Sequence, residues 1–247
     1  DTTKLIVPEG CFLAQSGSSY YAGEARFEIT YSDNSTKLAA ELSRENLNGA
    51  TRVTMQKDVT DVSFGFDLSC KLADDFVLDL GGHTMTGKVD ATSSSVLSVS
   101  VPMTITNGTI KYAGQESVNA GALKTSADVT IASDAIIDGG AGYAIWTYGY
   151  GHTLTVNGKV QSNGAYAITG NGSDESSTGT KIDVANCNIT VNAGAVISAP
   201  NGVAIYHPEK GTVTINGGEI TGHTGIEMCA GKLVVSGGSI TSTGDNT

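Results

Sequence analysis

A phrase of short apolar segments separated by corners of glycine and asparagine recurs along the last two thirds of this chain of 247 residues. The clearest copy covers residues 213–221 and reads VTINGGEIT. The copies begin at Val77, Met103, Val129, Leu154, Ile189, Val213 and Leu233. These starts are about 20 to 35 residues apart, and a period of about 20 to 50 residues is typical of repeat architectures. We therefore expect neighbouring copies to stack on one another.

Each copy contains three short apolar segments, which predicts three strands and three corners per repeat. The third segment aligns best, over residues 143–146, 166–169, 203–206 and 224–227. Side chains alternate between the two faces of a strand. If the isoleucine of each segment points inward, Tyr143, Tyr166 and Val203 point inward too, and the outward set is Trp146, Thr169, Tyr206 and Glu227. The pattern predicts an all-β fold of the β-solenoid type.

Residues 1–50 lack the repeat and are predicted to form an N-terminal cap, followed by the solenoid over residues 51–247. Residues 25–31 alternate and indicate a strand. Residues 34–36 are predicted to cap a short helix over residues 37–47 with an apolar face of leucines. Since the end of a stacked fold exposes strand edges, this small α/β segment is expected to cover it. The last copy stops before its third strand, so we expect the C-terminal end to be uncapped, and to continue or to dock onto another chain.

Composition restricts the partners that the chain can bind. The formal net charge is −11 with only 14 lysines and arginines. This balance argues against nucleic acid and anionic membrane surfaces as partners, because those require clusters of basic residues. No apolar run approaches the ~20 residues that span a bilayer, so the chain is not expected to span a membrane. A charge of this sign keeps a secreted protein in solution.

Four cysteines are candidates for disulfide bonds: Cys11, Cys70, Cys187 and Cys229. None is in CxxC spacing, so a zinc site is not expected. Cys11 and Cys70 lie in the N-terminal part, and the other two lie in later copies. Pairing within each set would suit an extracellular protein. Spacing alone leaves the connectivity open, and buried free thiols are the alternative.

Residues 76–87, FVLDLGGHTMTG, resemble the first-coil phrase of right-handed parallel β-helix proteins in the pectate-lyase-like superfamily. Residues 51–59, TRVTMQKDV, resemble the strand that commonly precedes it. The combination looks like large secreted or wall-anchored proteins of anaerobic Gram-positive bacteria. The resemblance, which runs from about Thr51 to the end, implies a right-handed parallel β-helix of about seven coils with a small N-terminal α/β cap. It also implies an extracellular or cell-wall location, and it leaves the activity open because fold does not imply function.

The superfamily includes hydrolases and lyases, so an enzyme is one alternative. Polygalacturonase-like members carry a set of motifs around paired carboxylates, and that set is absent here. Lyase-like members use a calcium cluster with an Arg or Lys base, and no arginine follows Arg52 although lysines do. Asp134 and Asp138, four residues apart on one strand, would be separated by ~13 Å, too far to act as a pair alone. The sequence predicts no catalytic residue and no cofactor, and no specific motif supports calcium.

The tripeptide Gly-His-Thr occurs three times, around His83, His152 and His223. A recurring histidine suggests a metal or acid–base role, but these copies fall at different phases of the repeat. We therefore predict three separate corner residues with hydrogen-bonded imidazoles.

Aromatic residues provide the strongest candidate for a binding site. Trp146, Tyr148, Tyr150 and Tyr206 are predicted to cluster on the outer side of one wall. Trp146 and Tyr206 would lie two strand spacings apart, about 9.6 Å, which suits a glycan chain lying along the wall. The predicted ligand-binding residues are Trp146, Tyr148, Thr169, Tyr206 and Glu227. The alternative is that the rings pack under a loop at residues 171–179 or against another subunit.

These observations predict a non-enzymatic extracellular module, either an adhesin or a structural stalk, that binds a glycan or another surface ligand along the aromatic residues. One alternative is a carbohydrate-active enzyme of the lyase or hydrolase type, which needs a groove with two or more carboxylates in reach of one another. The other alternative is a fibre subunit that associates with its neighbour through the C-terminal coil.

Overall fold

The computed structural model describes residues 6–60, 63–88, 95–116, 119–171 and 186–244. Nearly all regular structure in these residues is β-strand. The strands up to residue 87 are β1 (Cys11–Ser16), β2 (Ser19–Glu24), β3 (Phe27–Tyr31), β4 (Thr36–Ala39), β5 (Ala50–Met55), β6 (Phe64–Phe66), β7 (Val77–Asp79) and β8 (Thr84–Gly87). The α-helix α1 (Arg44–Leu47) lies between β4 and β5, and a 3₁₀ turn covers Leu68–Cys70.

The later strands carry the repeats. Those up to residue 147 are β9 (Ser95–Val99), β10 (Met103–Thr106), β11 (Gly108–Tyr112), β12 (Gly121–Thr125), β13 (Val129–Ile131), β14 (Ala135–Asp138) and β15 (Tyr143–Thr147). The remainder are β16 (Tyr150–Val156), β17 (Lys159–Gln161), β18 (Tyr166–Thr169), β19 (Asn186–Val191), β20 (Val196–His207), β21 (Thr212–Ile215), β22 (Glu219–Met228), β23 (Lys232–Val235) and β24 (Ser239–Ser242).

Equivalent segments of successive repeats are hydrogen-bonded neighbours. In a ten-stranded sheet with the order β23-β21-β19-β16-β13-β10-β7-β5-β3-β4, the first segments pair in parallel. Met103 lies opposite Val129, which in turn lies opposite Leu154, and the same register continues to β23. The predicted alignment of the copies is therefore confirmed over these repeats. In the first copy the register shifts by one residue, so that Val77 lies opposite Thr104.

The predicted fold class is nevertheless wrong. The sequence suggested a right-handed parallel β-helix of about seven coils, but the all-β chain forms a parallel half-barrel and mixed sheets. β20 runs for 12 residues and pairs with both β17 and β18, so the second and third segments join in one twelve-stranded sheet. The ten-stranded sheet is mixed because β3 pairs antiparallel with β4 and β5. The repeat determines which strands are neighbours, but it does not determine how the sheets join and bend.

The N-terminal segment is also not the α/β cap that was predicted. β1 and β2 form an antiparallel hairpin, and the predicted strand at residues 25–31 is confirmed as β3. The expected helix over residues 37–47 is reduced to the four residues of α1. Its first part is β4 instead, because Leu38 and Lys37 pair with Glu28 and Ile29 of β3, and this pairing outweighs local helix propensity.

A capping box starts α1. The Ser43 hydroxyl accepts a hydrogen bond from the Asn46 N–H at 3.2 Å, and the Asn46 side-chain oxygen accepts one from the Ser43 N–H at 2.8 Å. Loss of a serine N-cap typically costs about 1 kcal/mol. We expect Ser43→Ala to lower the free energy of unfolding by about 1 kcal/mol in urea denaturation. The exposed Ser239→Ala is the control, and equal effects of the two substitutions would contradict this role of Ser43.

The core consists of apolar columns that run across the repeats. Ile145, Ile168 and Ile205 are neighbours in register, and each is fully buried. At β23 and β24 the apolar columns are exposed to solvent, since Leu233, Val235 and Ile240 are 40, 53 and 40% exposed. Their partners one repeat earlier, Val213, Ile215 and Ile220, are fully buried.

Asparagine side chains hold the corners of successive repeats together. Asn192 donates to the side-chain oxygen of Asn157 at 2.8 Å, and Asn216 donates to that of Asn192 at 3.1 Å. This ladder satisfies polar groups at bends where the strands end. Among the residues described, no helix is long and apolar enough to cross a membrane.

Candidate functional site

The predicted aromatic column is present in the twelve-stranded sheet. Trp146 of β15 lies opposite Thr169 of β18, Thr169 lies opposite Tyr206 of β20, and Tyr206 lies opposite Glu227 of β22. The column extends one repeat further back than predicted, to Lys124 of β12. We call the surface formed by Lys124, Trp146, Tyr148, Tyr206 and Glu227 the aromatic wall.

Lys124 was not predicted as part of this surface. Its ammonium lies 5.0 Å from the centre of the Trp146 ring and 4.6 Å from that of the Tyr148 ring, within the range of cation–π contacts. Hydrogen bonding from Ser126 lowers the pKa of Tyr148, with smaller contributions from Ser100 and from the charge of Lys124. The position of Lys124 one repeat before Trp146 was the available signal, because residues aligned in a repeat become neighbours in the sheet.

Two further tyrosines pack against the wall. The rings of Tyr143 and Trp146 meet edge to face at 5.4 Å, and those of Tyr166 and Tyr206 lie 5.2 Å apart. Tyr143 is buried, and Tyr166 is half-buried. A side chain at Gly121 on the adjacent strand would lie only 2.4 Å from the Tyr143 ring, so this glycine leaves the space that the ring occupies.

The residues of the wall differ in their accessibility. Trp146, Tyr148 and Tyr206 are half-buried, and Glu227 is exposed. The neighbouring Tyr150 is 64% exposed. Thr169, which was predicted to bond to a ligand, is only 6% exposed, so its hydroxyl is not part of the accessible surface of the wall. The three aromatic rings of the wall are thus only partly accessible to a ligand.

A buried carboxyl lies where the strands of the wall end. Glu209, which follows β20, is fully buried. Its Oε1 accepts a hydrogen bond from the Asn171 N–H at 2.7 Å and one from the Thr147 hydroxyl at 3.4 Å, whereas its Oε2 is buried without a hydrogen-bond partner among the described residues. Burial raises the pKa of Glu209 to about 7, although hydrogen bonds from Asn171, Thr147 and the backbone of Cys187 oppose the shift. No sequence pattern indicates this group, since a glutamate next to a proline and a lysine is typical of an exposed loop.

Cys187 lies beside Glu209 and does not form a reactive thiolate. Burial, and secondarily the charge of Glu209, raise the pKa of the Cys187 thiol to about 12, so the thiol stays protonated at neutral pH and is a poor nucleophile. The His207 ring also contacts Cys187, because its Nε2 lies 3.0 Å from the Cys187 carbonyl oxygen. All four candidate disulfide cysteines, Cys11, Cys70, Cys187 and Cys229, are free in the structure.

The three Gly-His-Thr histidines have separate environments. His83 Nδ1 lies 3.4 Å from Asp58 Oδ1, and His223 is exposed. His152 is buried, and neither ring nitrogen meets the geometry of a full hydrogen bond among the described residues, although the Tyr150 backbone lies close enough to raise the pKa of the imidazole. Burial lowers the pKa of His152 against the opposing charge of Asp128.

The carboxylates weighed as a catalytic pair make structural contacts. Asp134 accepts hydrogen bonds from the Thr106 hydroxyl and the Asn107 N–H, which lower its pKa. Asp138 accepts one from the Gly140 N–H at 2.9 Å. Within the part of the chain that the structure describes, no group of three or more His, Cys, Asp or Glu side chains is placed to hold a metal ion.

No protein-family model, curated protein or solved structure matches this chain. The resemblance of residues 76–87 to the pectate-lyase-like superfamily therefore stays a prediction. The proposed function has to rest on the geometry of the chain itself.

Proposed function

We propose that this protein is a non-enzymatic extracellular binding module whose aromatic wall binds a glycan. The observation that supports this proposal most strongly is the in-register column of Lys124, Trp146 and Tyr206, which ends at the exposed Glu227. A cation and an anion at opposite ends, with aromatic rings between them, provide polar contacts for hydroxyl groups and apolar contacts for sugar faces.

The spacing of the wall supports a ligand with a repeating flat unit. Trp146 and Tyr206 are two strand spacings apart, ~9.6 Å. Both rings are held by neighbouring side chains, namely Tyr143 and Lys124 for Trp146 and Tyr166 for Tyr206. A surface held in this way loses little conformational entropy on binding, and this favours affinity.

A glycan array tests the proposal. We expect the wild-type chain to bind a subset of linear glycans, and Trp146→Ala and Tyr206→Ala to weaken that binding at least tenfold, the ~1.4 kcal/mol that loss of one stacking ring represents. Tyr21→Ala is the matched control, because Tyr21 is 54% exposed but lies in the β1–β2 hairpin. Binding that survives both substitutions in the wall would contradict the proposal.

The same samples separate binding from catalysis. Each glycan that binds is incubated with the protein, and new reducing ends and unsaturated products are measured. We expect neither, because this function requires no bond cleavage. Formation of new ends would favour the carbohydrate-active enzyme, and the absence of any binding would favour the fibre subunit.

A further inference from the structure

Glu209 joins two parts of the chain that are distant in sequence. Its hydrogen bond to the Asn171 N–H spans 38 residues, and its contact with the Thr147 hydroxyl spans 62. Asn171 follows the end of β18, Thr147 ends β15, and Glu209 itself follows β20. These three strands carry Trp146, Thr169 and Tyr206, so one carboxyl meets the ends of three strands of the aromatic wall.

We call the contact region of Thr147, Asn171 and Glu209 the joint. It is tightly packed around the Glu209 carboxyl. A side chain at Gly170 would lie 2.7 Å from Glu209 Oε1 and 2.9 Å from Pro208 Cδ. Thr147 is itself fully buried, and its hydroxyl oxygen also lies 3.2 Å from the Thr169 carbonyl oxygen, so its single proton is shared between that oxygen and Glu209 Oε1. Oε1 has donors in Asn171 and Thr147, whereas Oε2 has none among the residues described. The charged form of a buried carboxyl in this setting is disfavoured, because its second oxygen would require water or a further donor.

Several other titratable groups lie on the elements around this joint. Among the residues described, the Cys187 thiol of β19 interacts with the charge of Glu209, and His207 of β20 lies two residues before it in the sequence. Lys210 follows Glu209 directly, and β15, β18 and β20 carry Tyr143, Tyr166 and Tyr206. His152 in β16 and Asp128 before β13 lie next to Cys187. Burial keeps the pKa of the Cys187 thiol at about 12 and lowers that of His152. The pKa of Glu209, raised to about 7, therefore sets it apart as a buried acid that ionises near neutrality.

We propose that Glu209 is a pH-sensitive contact that holds together the strand ends beneath the aromatic wall. In its uncharged form the carboxyl ties the end of β18 to the segment after β20. When it becomes charged, the unpartnered oxygen draws water into the joint and loosens the strands that end there. The proposal does not depend on what the wall binds.

Trp146 is the only tryptophan of the chain, and it directly precedes Thr147, so its fluorescence reports on this joint. We expect the emission maximum of the wild-type protein to shift to longer wavelength as the pH rises from 5.5 to 8.5, with a midpoint near pH 7. Glu209→Gln, which cannot ionise, is expected to abolish this transition. Glu227→Gln, which changes an exposed carboxylate of the same wall, is expected to leave it intact.

If Glu209→Gln does not fold, Thr147→Val provides a second test of the proposal. The Thr147 hydroxyl lowers the pKa of Glu209, so Thr147→Val is expected to move the midpoint to higher pH. The proposal is overturned if the wild type shows no transition in this range, if Glu209→Gln retains the wild-type transition, or if Thr147→Val leaves the midpoint unchanged or moves it lower.

Discussion

Ile205→Ala is expected to lower the free energy of unfolding by about 3 to 4 kcal/mol. Ile205 is fully buried, and it lies in register between Ile168 of β18 and Ile226 of β22. Removing three carbon atoms from such a position loses their transfer free energy and leaves a cavity that rigid neighbouring strands cannot close, and measured costs for buried Ile or Leu to Ala are about 2 to 5 kcal/mol. Urea denaturation followed by far-UV circular dichroism measures the loss.

Ile240→Ala is the matched control for that experiment. It is the same chemical change in β24, but Ile240 is 40% exposed, and among the residues described its strand has a neighbour on only one side. We expect its cost to stay below about 1 kcal/mol, since much of this side chain is already in water. Equal losses for the two variants would contradict the assignment of Ile205 to a closed core column.

Glu209 is expected to make the stability of the protein fall as the pH rises toward neutrality. Its pKa is raised from an ordinary value of 4.5 to about 7, so the folded state binds the proton more tightly than the unfolded state. The stabilising contribution is fully present below about pH 4.5 and is lost as the pH rises through about 7. At 1.36 kcal/mol per pKa unit, the loss is at most about 3 kcal/mol.

Glu209→Gln removes this titration. Relative to the wild type, we expect the variant to gain about 2 to 3 kcal/mol in unfolding free energy between pH 4.5 and pH 8. Asp134, whose pKa is lowered, loses stability in acid in both proteins, so its effect cancels in the comparison. Parallel stability curves for the two proteins would contradict the burial of Glu209 in the folded state.

The neighbour relations of the strands could be predicted from the sequence. The spacing of the copies placed Leu154 opposite Ile189 and Trp146 opposite Thr169, and the structure has both pairs. Such pairs are predictable because a parallel sheet requires equivalent residues of stacked repeats to align. The same alignment predicts that Trp146 and Tyr206 share one column, and both lie opposite Thr169 of the intervening strand β18.

The joining of the sheets and the details of the wall could not be predicted. Whether β20 bends or continues depends on twist and on contacts across the sheet, and a local pattern records neither. The Tyr143 ring fits only because its strand neighbour is Gly121, which belongs to another repeat. The burial of Glu209 depends on Asn171 and Thr147, which are 38 and 62 residues away.

A fluorescence titration of the wild-type protein tests most directly whether the aromatic wall is the binding surface. The tightest glycan from the array is added while the emission of Trp146 is followed, and calorimetry measures the affinity independently. We predict a saturable change in emission with the calorimetric affinity, lost in Tyr206→Ala and retained in Tyr21→Ala. Calorimetric binding with unchanged Trp146 emission would place the ligand elsewhere and contradict this account.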